Sequence, residues 1–172
     1  MVYIGIDNGV TGAVGIVETE RTNVFLFPTP VIRELSYTKK KQFVHHLDVP
    51  LFATILTIAE NLAKGNTNHV LAVLERPMVN PERFKATLSA VTCFMQQYTV
   101  LRYRYIPFRY IDSKEWQREM LPSGLEKEQL KDASLDVAQR LFPVLNLGES
   151  TILTKQTADA ILIAEYARRK QW

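Results

Sequence analysis

The chain has 172 residues, of which 47% are hydrophobic and 23% are charged, and its formal net charge at pH 7 is +3. These values are typical of a globular protein, and the length predicts a single domain over residues 1–172. No apolar run approaches the roughly 20 residues of a membrane span, and no signal peptide precedes the first predicted strand. We therefore expect a cytoplasmic protein without a membrane partner. The basic balance permits a nucleic-acid partner but does not establish one.

Three short strands are predicted at the start of the chain, over residues 2–7, 12–18 and 23–28. Apolar and polar residues alternate in this part of the chain, and the short polar joints favour antiparallel neighbours. A polar, basic connection (29–48) separates these strands from an amphipathic helix that we expect over 50–63.

Strands and helices alternate in the rest of the chain. The continuous apolar run 69–74 predicts a central strand that is buried on both faces. Further elements are predicted as a helix over 81–100, a strand over 103–107, and helices over 125–141 and 157–170. This order predicts an α/β fold with a mixed five-stranded sheet, three antiparallel strands plus two parallel ones, and helices on both faces.

Three acidic residues stand at the ends of these apolar elements. Asp7 ends the first strand before a tight Gly-Thr-Gly turn, Glu75 ends the central strand, and Asp159 opens the last helix. A carboxylate at the inner end of a buried strand is costly unless a cation or hydrogen bonds satisfy it. Divalent cations prefer such oxygen ligands, and two ions about 3.5–4 Å apart can hydrolyse a phosphodiester. Taken alone, Asp7 could be a turn residue, Glu75 a partner of Arg76 and Asp159 a helix N-terminal acid.

Several motifs span nearly the whole chain: GIDNGVTGA at 5–13, LERP at 74–77, WQ at 116–117, KDAS at 131–134 with LFP at 141–143, and ADAILIAEYARR at 158–169. In these motifs the chain resembles RuvC-like Holliday junction resolvases of the ribonuclease H-like superfamily, most closely the small phage and plastid branch. The first motif is shared with sugar kinases and other actin-like ATPases. Those proteins need two duplicated domains and a second phosphate loop, which this chain lacks.

The resemblance implies a ribonuclease H-like fold and a metal-dependent endodeoxyribonuclease that resolves four-way DNA junctions in recombination and repair. It implies Mg²⁺ as the cofactor, with Mn²⁺ able to substitute, and no organic cofactor. Asp7, Glu75 and Asp159 would be catalytic metal ligands. Lys131 resembles a basic catalytic residue that faces the scissile phosphate, although it could equally be a solvated helix lysine. A phage or bacterial source is expected, and an organelle is not excluded.

The resemblance also implies a homodimer, because two symmetric cuts need two sites related by a twofold axis. The helix expected from Pro81 is the predicted contact, since Leu88, Val91 and Met95 spread over a broad apolar stripe.

Residues after Glu75 are expected to contact the DNA. Related resolvases present an apolar wedge and phosphate contacts there, and wedge side chains replace base stacking. Phe84 shares a stripe with Leu88, which favours core packing for it. The candidate DNA-binding residues are Arg76, Met78, Arg83, Lys85 and Lys155.

The chain departs from the family where relatives carry a fourth acid, three or four residues before the final aspartate. Here Gln156 and Lys155 occupy those places. Lys155 lies one helical turn before Asp159, so the two could pair and exclude a cation. This predicts a weakened second metal site. The alternatives are an enzyme that uses Lys155 as a surrogate charge, an inactive junction-binding protein, or a nuclease of the same fold that acts on RNA.

Overall fold

The computed structural model describes residues 1–36, 41–146 and 152–172. In chain order the strands in these ranges are β1 (Val2–Asp7), β2 (Ala13–Glu18), β3 (Val24–Pro28), β4 (Val31–Leu35), β5 (Phe43–Leu47), β6 (Val70–Glu75) and β7 (Phe108–Ile111). The α-helices are α1 (Val49–Leu62), α2 (Phe84–Tyr103), α3 (Ser113–Met120), α4 (Leu130–Leu141) and α5 (Ala158–Arg169). None of the helices in the described ranges is long and apolar enough to cross a membrane.

The main sheet has the strand order β3-β2-β1-β6-β7. β1, β2 and β3 pair antiparallel, whereas β6 runs parallel to both β1 and β7. The predicted mixed five-stranded sheet is therefore confirmed. β1 and β6 are buried along their first five residues and become partly exposed only at the last one. Those last residues are Asp7 and Glu75, which lie on neighbouring parallel strands and so emerge side by side.

Helices cover both faces of the sheet, as predicted. Successive β1 residues alternate between two cores, because side chains of a strand point to opposite faces. Tyr3 belongs to the core that contains Trp116 of α3 and the apolar residues of α5. Ile4 belongs to the opposite core, with Phe52 of α1 and Leu101 of α2. The central strands are thus shielded from solvent on both faces.

A pair of glycines lets α5 lie directly on the sheet. Gly5 of β1 and Gly15 of β2 are directly opposite each other in the antiparallel register. A Cβ on Gly5 would overlap the backbone of Ala160, and one on Gly15 would lie 2.7 Å from Cα of Ile161. This close approach sets the position of the first turn of α5, and therefore of Asp159.

The basic residues at the end of α5 are structural as well as surface groups. Glu165 is fully buried and pairs with Arg21, Arg168 and Arg169. Burial raises the pKa of Glu165, but hydrogen bonds from these three guanidinium groups lower it by more, so the pKa falls to about 2. Since Arg21 lies between β2 and β3, the network ties that turn to α5.

The polar connection expected over 29–48 contains a β-hairpin that sequence reasoning missed. β4 and β5 pair antiparallel as a separate two-stranded sheet, with Leu35 opposite Phe43. Neither strand alternates apolar and polar residues, and Leu35 and Phe43 are more than half exposed. The two short strands therefore carry no β pattern that marks them in the sequence. Residues 37–40 lie outside the described part of the chain.

Three predictions in the second half of the chain were wrong in detail. The strand expected over 103–107 lies at β7, because α2 continues through Tyr103. Helix α3 was missed, since only Trp116 and Met120 of its eight residues are buried and no apolar stripe marks it. The helix expected over 125–141 becomes α-helical only at α4, after a short 3₁₀ turn (Lys127–Gln129).

Candidate active site

The structure brings Asp7, Glu75 and Asp159 together at one end of the sheet. The side chains of Asp7 and Glu75 are in hydrogen-bond contact, and Asp159 interacts electrostatically with both. Asp159 is almost completely buried, and the other two are partly buried. From the sequence, this convergence was inferred only from the order of the strands and helices, because the three residues lie far apart in the chain.

Placing three carboxylates together in a partly buried site favours protonation of some of them. Burial and the neighbouring Glu75 raise the pKa of Asp7 well above its usual value, and the Lys131 ammonium only partly opposes this. Burial also raises the pKa of Glu75, although hydrogen bonds involving Asp7 and Trp116 lower it. Without a cation, the Asp7–Glu75 pair therefore tends to retain a proton.

Lys131 supplies the positive charge nearest to this cluster. It is the second residue of α4. Its Nζ donates to Oδ2 of Asp159 at 2.5 Å and lies 4.0 Å from Oδ2 of Asp7. Burial lowers the pKa of Lys131, but the carboxylates of Asp159 and Asp7 raise it by more, so it lies above the usual lysine value. The lysine is thus a half-exposed counter-ion of the acids.

The acids fit a hard divalent cation by donor type. Oδ1 of Asp159 is buried and has no hydrogen-bond partner, which leaves a carboxylate oxygen free to bind an ion. Yet within residues 1–36, 41–146 and 152–172, no three His, Cys, Asp or Glu side chains form a group that could hold a metal ion as they stand. Lys131 lies against Asp159, and Asp7 contacts Glu75. An ion would require these contacts to rearrange.

The pairing expected between Lys155 and Asp159 is wrong. Lys155 instead forms an ion pair with Asp132 of α4, across the mouth of the site. The competitor for Asp159 is Lys131, because α4 carries that side chain directly over the first turn of α5. Asp7 and the two lysines line a cleft of about 340 Å³, together with Asn8, Thr11, Gly12 and Gln156.

Trp116 is a site residue to which sequence reasoning assigned no role. It is fully buried in α3, and its Nε1 donates to Oε1 of Glu75 at 3.2 Å. An indole N–H is a donor only, so this contact holds the Glu75 carboxylate in one orientation. The available signal was a tryptophan in an otherwise polar segment.

The candidate DNA-binding residues near Glu75 lie on the surface. Arg76 donates to Asp112 at 3.0 Å and lies over the ring of Tyr110. Met78 is 75% exposed, as a wedge residue would be. Arg83 and Lys85 are exposed as well.

The core position expected for Phe84 is wrong. Its side chain is 69% exposed, because it lies in the first turn of α2, before that helix packs against the sheet. Leu88 and Met95 on the same helix are also exposed. The apolar stripe of α2 therefore extends beyond the core of this chain.

No protein-family model matches the chain, and no curated protein sequence matches it. Among solved structures, T. thermophilus RuvC in complex with a Holliday junction substrate matches with a TM-score of 0.55 at 13% identity, over 99% of this chain and 96% of that chain. A second Thermus thermophilus RuvC structure gives 0.49 at 12% identity, over 99% and 97%. The yeast mitochondrial Holliday junction resolvase Ydc2 gives 0.43 at 15% identity, over 98% and 78%.

At such low identity, the likeness establishes the fold. The chain has the RuvC-like, ribonuclease H-like fold, with the strand order and flanking helices described above. Membership of the phage and plastid branch stays a prediction.

Proposed function

We propose that this protein is a structure-selective endodeoxyribonuclease that resolves four-way DNA junctions by metal-dependent phosphodiester hydrolysis. The observation that carries the proposal is the meeting of Asp7, Glu75 and Asp159 at one end of the sheet, beside Lys131. The same fold occurs in T. thermophilus RuvC, whose structure contains a Holliday junction substrate. A net charge of +3 suits a polyanionic partner.

In this proposal Asp7, Glu75 and Asp159 hold Mg²⁺, for which Mn²⁺ can substitute. When bound, the metal supplies water activation and stabilisation of the leaving oxygen. Trp116 orients Glu75 through its hydrogen bond. Lys131 leaves Asp159 and places its ammonium beside the scissile phosphate, where it offsets negative charge.

The surface residues bind the junction around this centre. Exposed cations neutralise phosphates, which releases counterions and makes affinity fall steeply with salt. Met78 enters between bases near the crossover and replaces the stacking that is lost there. The cations assigned to phosphate binding are Arg76, Arg83, Lys85 and Lys155.

Cleavage of a synthetic four-way junction, with magnesium or manganese, tests the function. Linear duplex, flap and RNA–DNA hybrid substrates of the same sequence serve as comparisons. Symmetric nicks in opposed strands of the junction alone would support resolution. Preferential cutting of the hybrid would instead favour an RNA-directed nuclease.

A second candidate is a junction-binding protein that does not cut. It is favoured by the contact between Lys131 and Asp159 and by the absence, in the described ranges, of an arranged metal group. Tight junction binding without metal uptake or strand cleavage would identify it.

The two lysines at the cleft should differ in their effect on metal affinity. Lys131→Met is expected to tighten Mn²⁺ binding by roughly tenfold or more, because a unit charge beside the ligands is worth several kcal/mol at intermediate dielectric. Lys155→Met is the matched control with a smaller effect, since Lys155 pairs with Asp132. Isothermal titration calorimetry measures both. Equal effects of the two changes would contradict the assignment of Lys131 as the competing cation.

The homodimer is also part of the proposal. Leu88 and Met95 of α2 are 54% and 49% exposed, and burying such side chains between two copies is favourable. We expect Leu88→Lys to dissociate the dimer, as followed by sedimentation velocity with and without junction. A wild-type protein that stays monomeric in both conditions would exclude this assembly.

A further inference from the structure

A second cleft adjoins the carboxylate site and has no role in the mechanism proposed above. Its volume is about 320 Å³, and it lies between the β1–β2 turn, the end of β3 and the segment before α5. This volume is in the range of small-molecule subsites. Thr11, Gly12 and Gln156 line both clefts, so the two are adjacent.

One buried polar atom beside this cleft is unexplained. Thr29 follows β3, is only 5% exposed, and lines the cleft. Its backbone N–H donates to the carbonyl of Gly12, but its Oγ1 is closed off from solvent and has no hydrogen-bond partner, so a ligand in the cleft reaches it once the side chain rotates. Leaving a hydroxyl buried and unpaired costs roughly 1–3 kcal/mol, so a ligand that supplies the missing partner would recover part of that cost.

The chemistry of the walls selects the type of ligand. Val10, Pro28 and Ile152 give the cleft apolar sides, and none of its lining residues is charged. A phosphate would find no cation there, whereas the flat face of a nucleobase suits apolar walls. A base edge carries the donors and acceptors that a hydroxyl can meet, because a hydroxyl both donates and accepts.

We propose that this cleft receives an unstacked base next to the scissile phosphate, and that Thr29 hydrogen-bonds to its edge. The inference rests on the proposed function, since the phosphate of that nucleotide would lie in the carboxylate cleft. Bases at a strand crossover lose stacking more easily than those in a duplex, so less energy is needed to move one aside. Thr29 would then set a base preference at the cut.

The test uses four-way junctions that differ only in the base pairs flanking the cut. Single-turnover cleavage and equilibrium affinity without metal are both measured for each junction. The variants are Thr29→Val, which removes the hydroxyl at constant shape, and Thr29→Ser, which keeps it. Thr54→Val makes the same chemical change on the exposed face of α1 and serves as control.

Wild type, Thr29→Ser and Thr54→Val should prefer one flanking base by roughly five- to tenfold, as expected for one hydrogen bond. Thr29→Val should bring that preference below about twofold. A wild type without preference, or a preference unchanged in Thr29→Val, would overturn the inference and leave the nuclease proposal intact. If no junction is cut, the nuclease proposal fails, and the affinity series still decides whether Thr29 selects a base.

Discussion

Asp7→Asn is expected to reduce junction cleavage by roughly a thousandfold or more at saturating magnesium, with junction affinity nearly unchanged. The amide has the same shape but lacks the charge that would hold a cation. Asp7 is paired with Glu75 and lies near Lys131, so it is assigned no phosphate contact. Single-turnover cleavage and salt-dependent binding measure the two effects separately.

The fold should tolerate this change. Burial and Glu75 raise the pKa of Asp7, so the folded state already disfavours its charged form. A neutral amide should therefore leave thermal stability intact. Asp136→Asn, on the exposed face of α4, is the matched control and should cut junctions like the wild type. Loss of junction binding in Asp7→Asn would mean that the aspartate is structural, and retained cleavage would exclude it as a metal ligand.

Gly5→Ala is expected to lower the free energy of unfolding by about 3 kcal/mol, the upper part of the range for overpacking a core. The added Cβ would meet the backbone of Ala160 and Ala164, which cannot move aside as a flexible side chain can. Displacing α5 would also shift Asp159 away from Asp7, so cleavage should fall more than stability alone predicts. Urea unfolding and cleavage by the remaining folded protein measure these effects.

Gly124→Ala separates this steric effect from backbone strain. Gly124 has a φ of +79° and no neighbouring atom within 4 Å of a built Cβ. Its replacement should cost about 1 kcal/mol, the price of a left-handed conformation for a residue with a side chain. If Gly5→Ala lost no more stability than Gly124→Ala, the direct packing of α5 on β1 would be refuted.

The fold elements that the sequence predicted well are those whose pattern is set by burial. β1 and β6 are apolar up to the acid that ends each of them because both faces are covered, and β6 starts and ends within one residue of the predicted strand. The elements that were missed or displaced bury little. β4 and β5 expose apolar side chains and do not alternate, and α3 has only two buried residues among eight, too few to mark a helix by an apolar stripe. Tertiary contacts, rather than local pattern, stabilise them.

In the candidate site, too, some features follow from the sequence and others depend on tertiary packing. Asp7, Glu75 and Asp159 were found from sequence because an acid at the end of a buried apolar element is unusual. Nothing local revealed that Trp116 donates to Glu75, or that Thr29 keeps an unpaired hydroxyl beside the site. These facts depend on which helices and turns pack together across the sheet.

The sequence by itself determined where the three acids stand in the chain and which strands are buried, because burial imposes a local pattern on residue types. Only the tertiary structure decided which cation faces them. Lys131 and Lys155 both lie at the cleft, yet Lys131 pairs with Asp159 whereas Lys155 pairs with Asp132. That choice follows from how α4 lies over the start of α5, and long flexible side chains select partners by distance rather than by position in the sequence.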